Sequence, residues 1–190
     1  MLSATHKLIG KSILLNIKQK YNIPINEESF LNGCLKSDYS LPFFFIPHYK
    51  EKSFNFIIQM IKDITNYNLS NTKSIKNFYT KLGIITHFLC DYFCYAHNNK
   101  KLDNMFLHLK YEKALHSLYE ELVIDKINTT SIQKVYSLEN LINFINNMHY
   151  EYMIVPPSME KDILYALEVS NYTVNFIINY VKNCNKYNVA

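Results

Sequence analysis

The chain contains no arginine and no tryptophan, and its 20 basic residues are all lysine. Without Arg there is no guanidinium fork to clamp phosphate or carboxylate in bidentate fashion. Phosphate chemistry, if present, rests on Lys, backbone amides or metal ions. Only three Gly occur, too few for a Gly-rich phosphate loop or a dinucleotide fingerprint. Three Gly and five Pro also argue against a turn-rich all-β fold. No apolar run reaches 18 residues, so no transmembrane helix is expected. The first 20 residues lack signal-peptide character: Lys7, Lys11 and Lys18 interrupt them, and the apolar stretch 13–17 is short and contains Asn16. The expected location is cytoplasmic, with export by another route left open.

What is present fits one soluble domain over residues 1–190. Hydrophobic residues make up 48% and charged residues 19%, which suits neither a disordered chain nor a membrane-embedded bundle. The net charge of +4 is mildly basic and is no nucleic-acid signature by itself. The lysines are scattered and read as solvated faces. Cys34, Cys90, Cys94 and Cys184 show no zinc-ribbon spacing, and Cys90 and Cys94 fall four apart in a helical pattern. All four are read as free, buried thiols, which suits a reducing compartment.

Apolar periodicity predicts helices over about 3–20, 27–37, 50–66, 72–96, 103–124, 131–150 and 157–184. Asn26 and Asn71 are candidate caps, and Pro156-Pro157 ends the segment before the last helix. Residues 38–48, with Pro42 and Pro47, read as a loop. No β alternation and no internal repeat stands out. The expected fold is an all-α bundle of about seven helices.

Seven His are present, and five fall into local patterns with carboxylates. His87 and Asp91 are i and i+4 on one helical face, with His97 six residues further on. His108 and Glu112 repeat the same one-turn spacing. Asp38 and His48 flank the Pro-containing loop, and His6 sits on the first helix. Each pair alone suits a buried ion pair as well as a metal site. Together they supply five imidazoles and three carboxylates, a nitrogen-and-oxygen set that suits catalytic zinc better than structural zinc.

In order and local spacing, these residues resemble the zinc-dependent phospholipase C family, which includes bacterial phosphatidylcholine-hydrolysing enzymes and the catalytic domain of clostridial alpha-toxin. The S1/P1 nucleases share that fold. The resemblance is carried by Thr5-His6, Asp38-Tyr39, His48-Tyr49, Leu82-Gly83 with His87, Asp91 and His97, and His108-Leu109-Lys110-Tyr111-Glu112. It implies a phospholipase C/P1 nuclease-like bundle holding two or three zinc ions (Zn2+). One ion would take His48, His87 and Asp91 with Asp38 alongside, a second His97, His108 and Glu112, and a third His6 with a share of Asp91. In the family the mature amino terminus completes the third site. Here Met1 stands only five residues before His6 and no Trp stands at the start, so a weak, water-completed or absent third ion is expected. As a separate departure, Tyr95-Ala96 replaces the family's Pro before the equivalent of His97.

The implied activity is hydrolysis of a phosphodiester, with a phospholipid or small phosphodiester as substrate, peripheral membrane contact and no specific nucleic-acid partner. Asp38 is the expected catalytic residue, orienting or deprotonating the attacking water. The segment Leu41-Pro42-Phe43-Phe44-Phe45-Ile46-Pro47 reads as an apolar lip or, in preference, as core packing. His116 is read as a surface residue and His149 is assigned nothing. Two other readings are kept: a single-strand nuclease of the S1/P1 type, and a non-catalytic, metal-stabilised helical protein.

Overall fold

A computed structural model of the chain describes residues 1–67, 69, 71–99, 102, 104–122 and 137–187, without the side chains of 44 and 184–187. Among them are eight α-helices and no strand: α1 (Ser3–Lys20), α2 (Glu27–Tyr39), α3 (Leu41–Phe44), α4 (Lys50–Thr65), α5 (Thr72–Tyr92), α6 (Met105–Glu121), α7 (Leu138–Ile154) and α8 (Met159–Tyr187). A 3-10 turn, Tyr95–His97, follows α5. No described helix is long and apolar enough to cross a membrane.

Local chemistry sets most helix starts. Asn26 and Asn71 accept from the backbone N–H groups of Ser29 and Ser74 at 2.9 and 2.8 Å, satisfying donors that have no partner in the first turn. Ser158, in a weak capping pattern by sequence, accepts from the Lys161 N–H at 3.1 Å. The all-helical expectation holds. Several boundaries differ: the second helix continues to Tyr39, residues within the predicted 38–48 loop form the single turn α3, the helix predicted over 72–96 stops at Tyr92, and those predicted to end at 150 and 184 run to Ile154 and Tyr187. The predicted starts at 103 and 131, and the end at 124, lie outside the described residues.

Helix α5 is the central strut. Its residues from Leu82 to Tyr92 are all buried, and α1, α2, α4 and α8 pack around it. Ile9, Ile13 and Ile17 of α1, Phe30 of α2, Ile57, Ile61 and Ile64 of α4, and Ile177 of α8 contribute to the core. Helix α2 lies closest to α5, because the two cross at paired glycines. A Cβ at Gly83 would stand 2.1 Å from the Phe30 carbonyl oxygen, and one at Gly33 would stand 2.2 Å from that of Thr80. This approach brings the end of α2, with Asp38, beside the polar residues of α5.

Candidate metal centre

His87 lies at the heart of the centre and is fully buried. Its Nδ1 is 2.8 Å from the Cys34 carbonyl oxygen, across the α2–α5 crossing. A carbonyl only accepts, so Nδ1 carries the proton and Nε2 presents its lone pair. That Nε2 lies 3.2 Å from Asp91 Oδ2, 3.3 Å from His48 Nδ1 and 3.5 Å from Asp38 Oδ1. The second oxygen of Asp38 accepts from the Ser3 hydroxyl.

Asp91, one turn along α5 and wholly buried, is shared between two groups. Its Oδ2 faces His87 and His48, the latter at 2.6 Å. Its Oδ1 faces His6 Nε2 at 3.2 Å, His97 Nε2 at 3.3 Å and the amino group of Met1. Glu112 anchors the other end. Its Oε1 is 3.0 Å from His108 Nε2, 3.2 Å from His97 Nε2 and 2.9 Å from the Met1 nitrogen. All eight residues expected as ligands therefore converge, drawn from α1, α2, the segment before α4, α5, the 3-10 turn and α6. Met1, two residues before the start of α1, reaches into the cluster with its amino group beside Asp91 and Glu112.

The electrostatics follow from burying carboxylates among imidazoles. Burial alone would raise the pKa of Asp91, but the Met1 amino group, His97, His6 and His87 outweigh it and hold the carboxyl well below its usual range. Burial likewise works against ionised Glu112, and hydrogen bonds from His108 and His97 with the amino group reverse the balance. His48 is charge-stabilised: burial lowers its pKa, yet the hydrogen bond and charge of Asp91 raise it overall. His6 goes the other way, down to about 4, through burial and then His87, whose ring stacks on it at 3.8 Å.

The residues fit zinc. Among the described residues, neither ring nitrogen of buried His6 has a well-formed hydrogen bond, although Nε2 is 3.2 Å from Asp91 Oδ1. A buried imidazole left so is expected of a ligand. Three sets of potential ligand atoms lie within 4.8 Å of one another: His6, His87 and Asp91; Asp38, His48 and His87; and Cys94, His97 and Glu112. Nitrogen- and oxygen-rich sets of this kind suit catalytic zinc.

The grouping differs from the expected one: His87 falls in two sets, Asp91 groups with His6 and His87 rather than with His48, and Cys94 rather than His108 joins His97 and Glu112. The helical pattern predicts Cys94 as a core-facing thiol within the helix. It lies beyond the end of α5, in the bend that turns toward His97, and burial pushes its pKa up. Spacing gave no signal for it, because a helix continued to residue 96 would aim it elsewhere. Cys34, Cys90 and Cys94 are free and buried as expected, and Cys184 falls outside the described side chains.

Around the centre, the preferred core reading of residues 41–47 holds only in part. Phe43 is half-buried and packs on Phe56, whereas Leu41 and Phe45 are 75% and 77% exposed. Tyr39 and Tyr49, next to Asp38 and His48, are exposed as well, as are Phe106 and Leu107 just before His108. Beside His97 opens a cavity of about 480 Å³, lined by Tyr49, Glu51, Lys52, Asn98, Asn99 and Met153. His116 is half-buried rather than on the surface, with Nδ1 3.1 Å from the Thr5 hydroxyl. His149 is buried 3.3 Å from Asn98 Oδ1.

No curated protein and no solved structure is matched by the chain. A family model described as zinc dependent phospholipase C matches residues 5–158, a span that takes in all eight converging side chains. With that match over most of its length, and with Asp91 shared between imidazoles on both of its oxygens and Glu112 paired with His108, the chain belongs to the zinc-dependent phospholipase C family.

Proposed function

We propose that the protein is a zinc-dependent phosphodiesterase of the phospholipase C type, acting on a phospholipid or a related small phosphodiester. The observation that carries this reading is the convergence of five imidazoles and three carboxylates around Asp91, partly open to solvent at Asp38, His48 and His108. His48, His87 and Asp91 with Asp38 would hold one ion, His97, His108 and Glu112 a second, and His6 with Asp91 a third, to which the Met1 amino group stands close. Bound there, zinc supplies Lewis-acid stabilisation of phosphoryl oxygens and a water acidified toward a pKa of about 7.

The chain's own residues supply the rest. The Nδ1–H bond of His87 to Cys34 fixes that ring so that its lone pair cannot turn away. Asp38 has one oxygen held by Ser3 and the other at the mouth of the centre, so it orients the attacking water and accepts its proton. The cavity beside His97 has room for the group that departs from phosphorus. The exposed Leu41, Phe45, Phe106 and Leu107 adjoin ligand positions in sequence, and they form an apolar rim through which the mouth meets a lipid surface.

The test is metal analysis followed by a substrate panel. Two or three zinc per chain, with hydrolysis of phospholipid or a phosphocholine ester and none of single-stranded DNA, is the expected result. Cleavage of single-stranded DNA alone would transfer the reading to the S1/P1 nuclease type. A chain without zinc and without turnover would be a helical protein with no catalytic role.

A further inference from the structure

Asp162, on the first turn of α8, is completely buried, yet no cation forms an ion pair with it among the described residues. Neighbouring Lys161 turns its Nζ to the carbonyl oxygens of Tyr152 and Val155 instead. Burying a carboxylate in this way is costly unless its lone pairs are met by good donors. Three donors meet them. The backbone N–H of Tyr95 donates to Oδ2 at 2.7 Å, the Tyr111 hydroxyl donates to the same oxygen at 2.9 Å, and the Tyr152 hydroxyl donates to Oδ1 at 2.7 Å.

Two of these donors occupy telling positions. Tyr95 opens the 3-10 turn whose last residue is His97. Tyr111 immediately precedes Glu112 and lies three residues after His108 on α6. The two rings also touch, with centroids 5.7 Å apart. A single oxygen of Asp162 thus pins both pieces of chain that bring His97, His108 and Glu112 together. Tyr152 belongs to α7, which contributes none of the eight converging residues. Asp162 itself lies beyond the family match, which ends at 158.

The geometry points to Asp162 as a positioning residue that fixes the His97–His108–Glu112 half of the metal centre, by tying the turn that carries His97 to the helix that carries Glu112. It touches neither substrate nor metal and acts through the backbone N–H of Tyr95 and the hydroxyl of Tyr111. Part of the test rests on the zinc reading above, so it is paired with a readout that does not.

Tyr111→Phe and Tyr152→Phe each remove one hydroxyl from the same carboxylate, and only the first cuts the link between the two ligand-bearing segments. In Tyr111→Phe, the His97 and His108 imidazole resonances of the metal-stripped protein should move. One zinc of the loaded protein should bind about 10–100-fold more weakly, the range for losing a group that orients a ligand. Tyr152→Phe should lower stability while leaving both readouts in place. Asp162→Asn, which keeps an oxygen for Tyr95 and Tyr111, should hold zinc far better than Asp162→Ala. Unmoved resonances and unchanged zinc affinities in a folded Tyr111→Phe overturn the assignment, and so do equal changes in the two Tyr variants. If the wild-type chain takes up no zinc, the proposed function falls, and the imidazole resonances still decide the role of Asp162.

Discussion

The contact between Gly33 and Gly83 makes a sharp prediction, because it joins helix packing to ligand orientation. In Gly83→Ala, the new methyl would meet the Phe30 carbonyl oxygen at 2.1 Å, the Cys34 amide nitrogen at 2.7 Å and the Gly33 carbonyl carbon at 2.9 Å. All three are backbone atoms, so no side-chain rotation relieves the clash. Ordinary contact begins near 3.4 Å, and α2 must therefore withdraw by roughly 1 Å. Overpacking of this kind costs about 1–3 kcal/mol or more. Ala gains about 1 kcal/mol over Gly in helix propensity, which offsets part of that. A net loss of up to about 2 kcal/mol is expected, read as a lower urea midpoint of the metal-stripped protein at unchanged slope.

The same displacement reaches the site. The His87–Cys34 bond, now 2.8 Å, would lengthen beyond the range of a hydrogen bond and free the ring to turn. Zinc at His48, His87 and Asp91 should weaken by about 10–100-fold. The ion at His97, His108 and Glu112 should be little affected. Gly10→Ala is the control: its methyl would meet side-chain atoms of Cys34 and Leu31 at 3.1 Å, which give way more easily. If Gly83→Ala keeps its urea midpoint and its zinc, the close crossing does not orient His87.

Asp38→Asn should lower turnover by about 10²–10⁴-fold, the range for a lost general base, while metal analysis still finds most of the zinc. Unchanged turnover removes Asp38 from its role. Phe106→Ser, at a side chain 74% exposed, should weaken sedimentation with phospholipid vesicles several-fold, since burying a Phe contributes about 1.5–3 kcal/mol at most. Equal vesicle binding would show that the rim does not meet lipid. His149 is buried, and its pKa is lowered to about 4 by burial and then by Lys50. The unfolded chain, with an ordinary His value of 6.5, binds the extra proton first as pH falls. Stability should therefore drop between about pH 6.5 and 4, and His149→Phe should flatten that part of a urea-midpoint profile. An unchanged slope in the variant would place the pH dependence elsewhere.

Much of this was legible because helical ligands follow helical spacing. His87 with Asp91 and His108 with Glu112 are one turn apart, so the sequence alone puts each pair on a common face. The caps at Asn26 and Asn71 read correctly for the same reason, since an Asx side chain reaches only its own first turn. What escaped depends on contacts distant in sequence. The apolar stripe of α5 continues into Cys94 and Ala96, and periodicity carried the helix to 96. The helix ends at Tyr92 because the Phe93 and Cys94 N–H groups take the tighter bonds to Cys90 and Asp91, and Asp162 captures the Tyr95 N–H. Asn98 then donates to the Tyr92 and Cys94 carbonyl oxygens. No local pattern announces an acceptor 67 residues away. The exposure of Leu41 and Phe45 was hidden likewise, because an aromatic run looks the same whether it fills a core or rims an opening.

The absence of Arg and the chemistry of the centre are linked through charge. Asp38, Asp91 and Glu112 together bring three negative charges, and neutral imidazoles bring none. The Met1 amino group offsets one of the three, which leaves a centre that repels phosphate and pulls protons toward His48. Two divalent ions reverse the sign and three reverse it strongly, so the field that a phosphodiester meets is set by the metals rather than by basic side chains. Among the described residues, Lys52 is the one lysine lining the cavity beside His97. Under the proposed function, a phosphodiester therefore binds at this centre only when the metals are in place. A non-hydrolysable phosphodiester analogue should bind the zinc-loaded protein and not the chelated one, with little dependence on Lys52. Equal binding to both forms would mean that the carboxylate cluster is not where the phosphate sits.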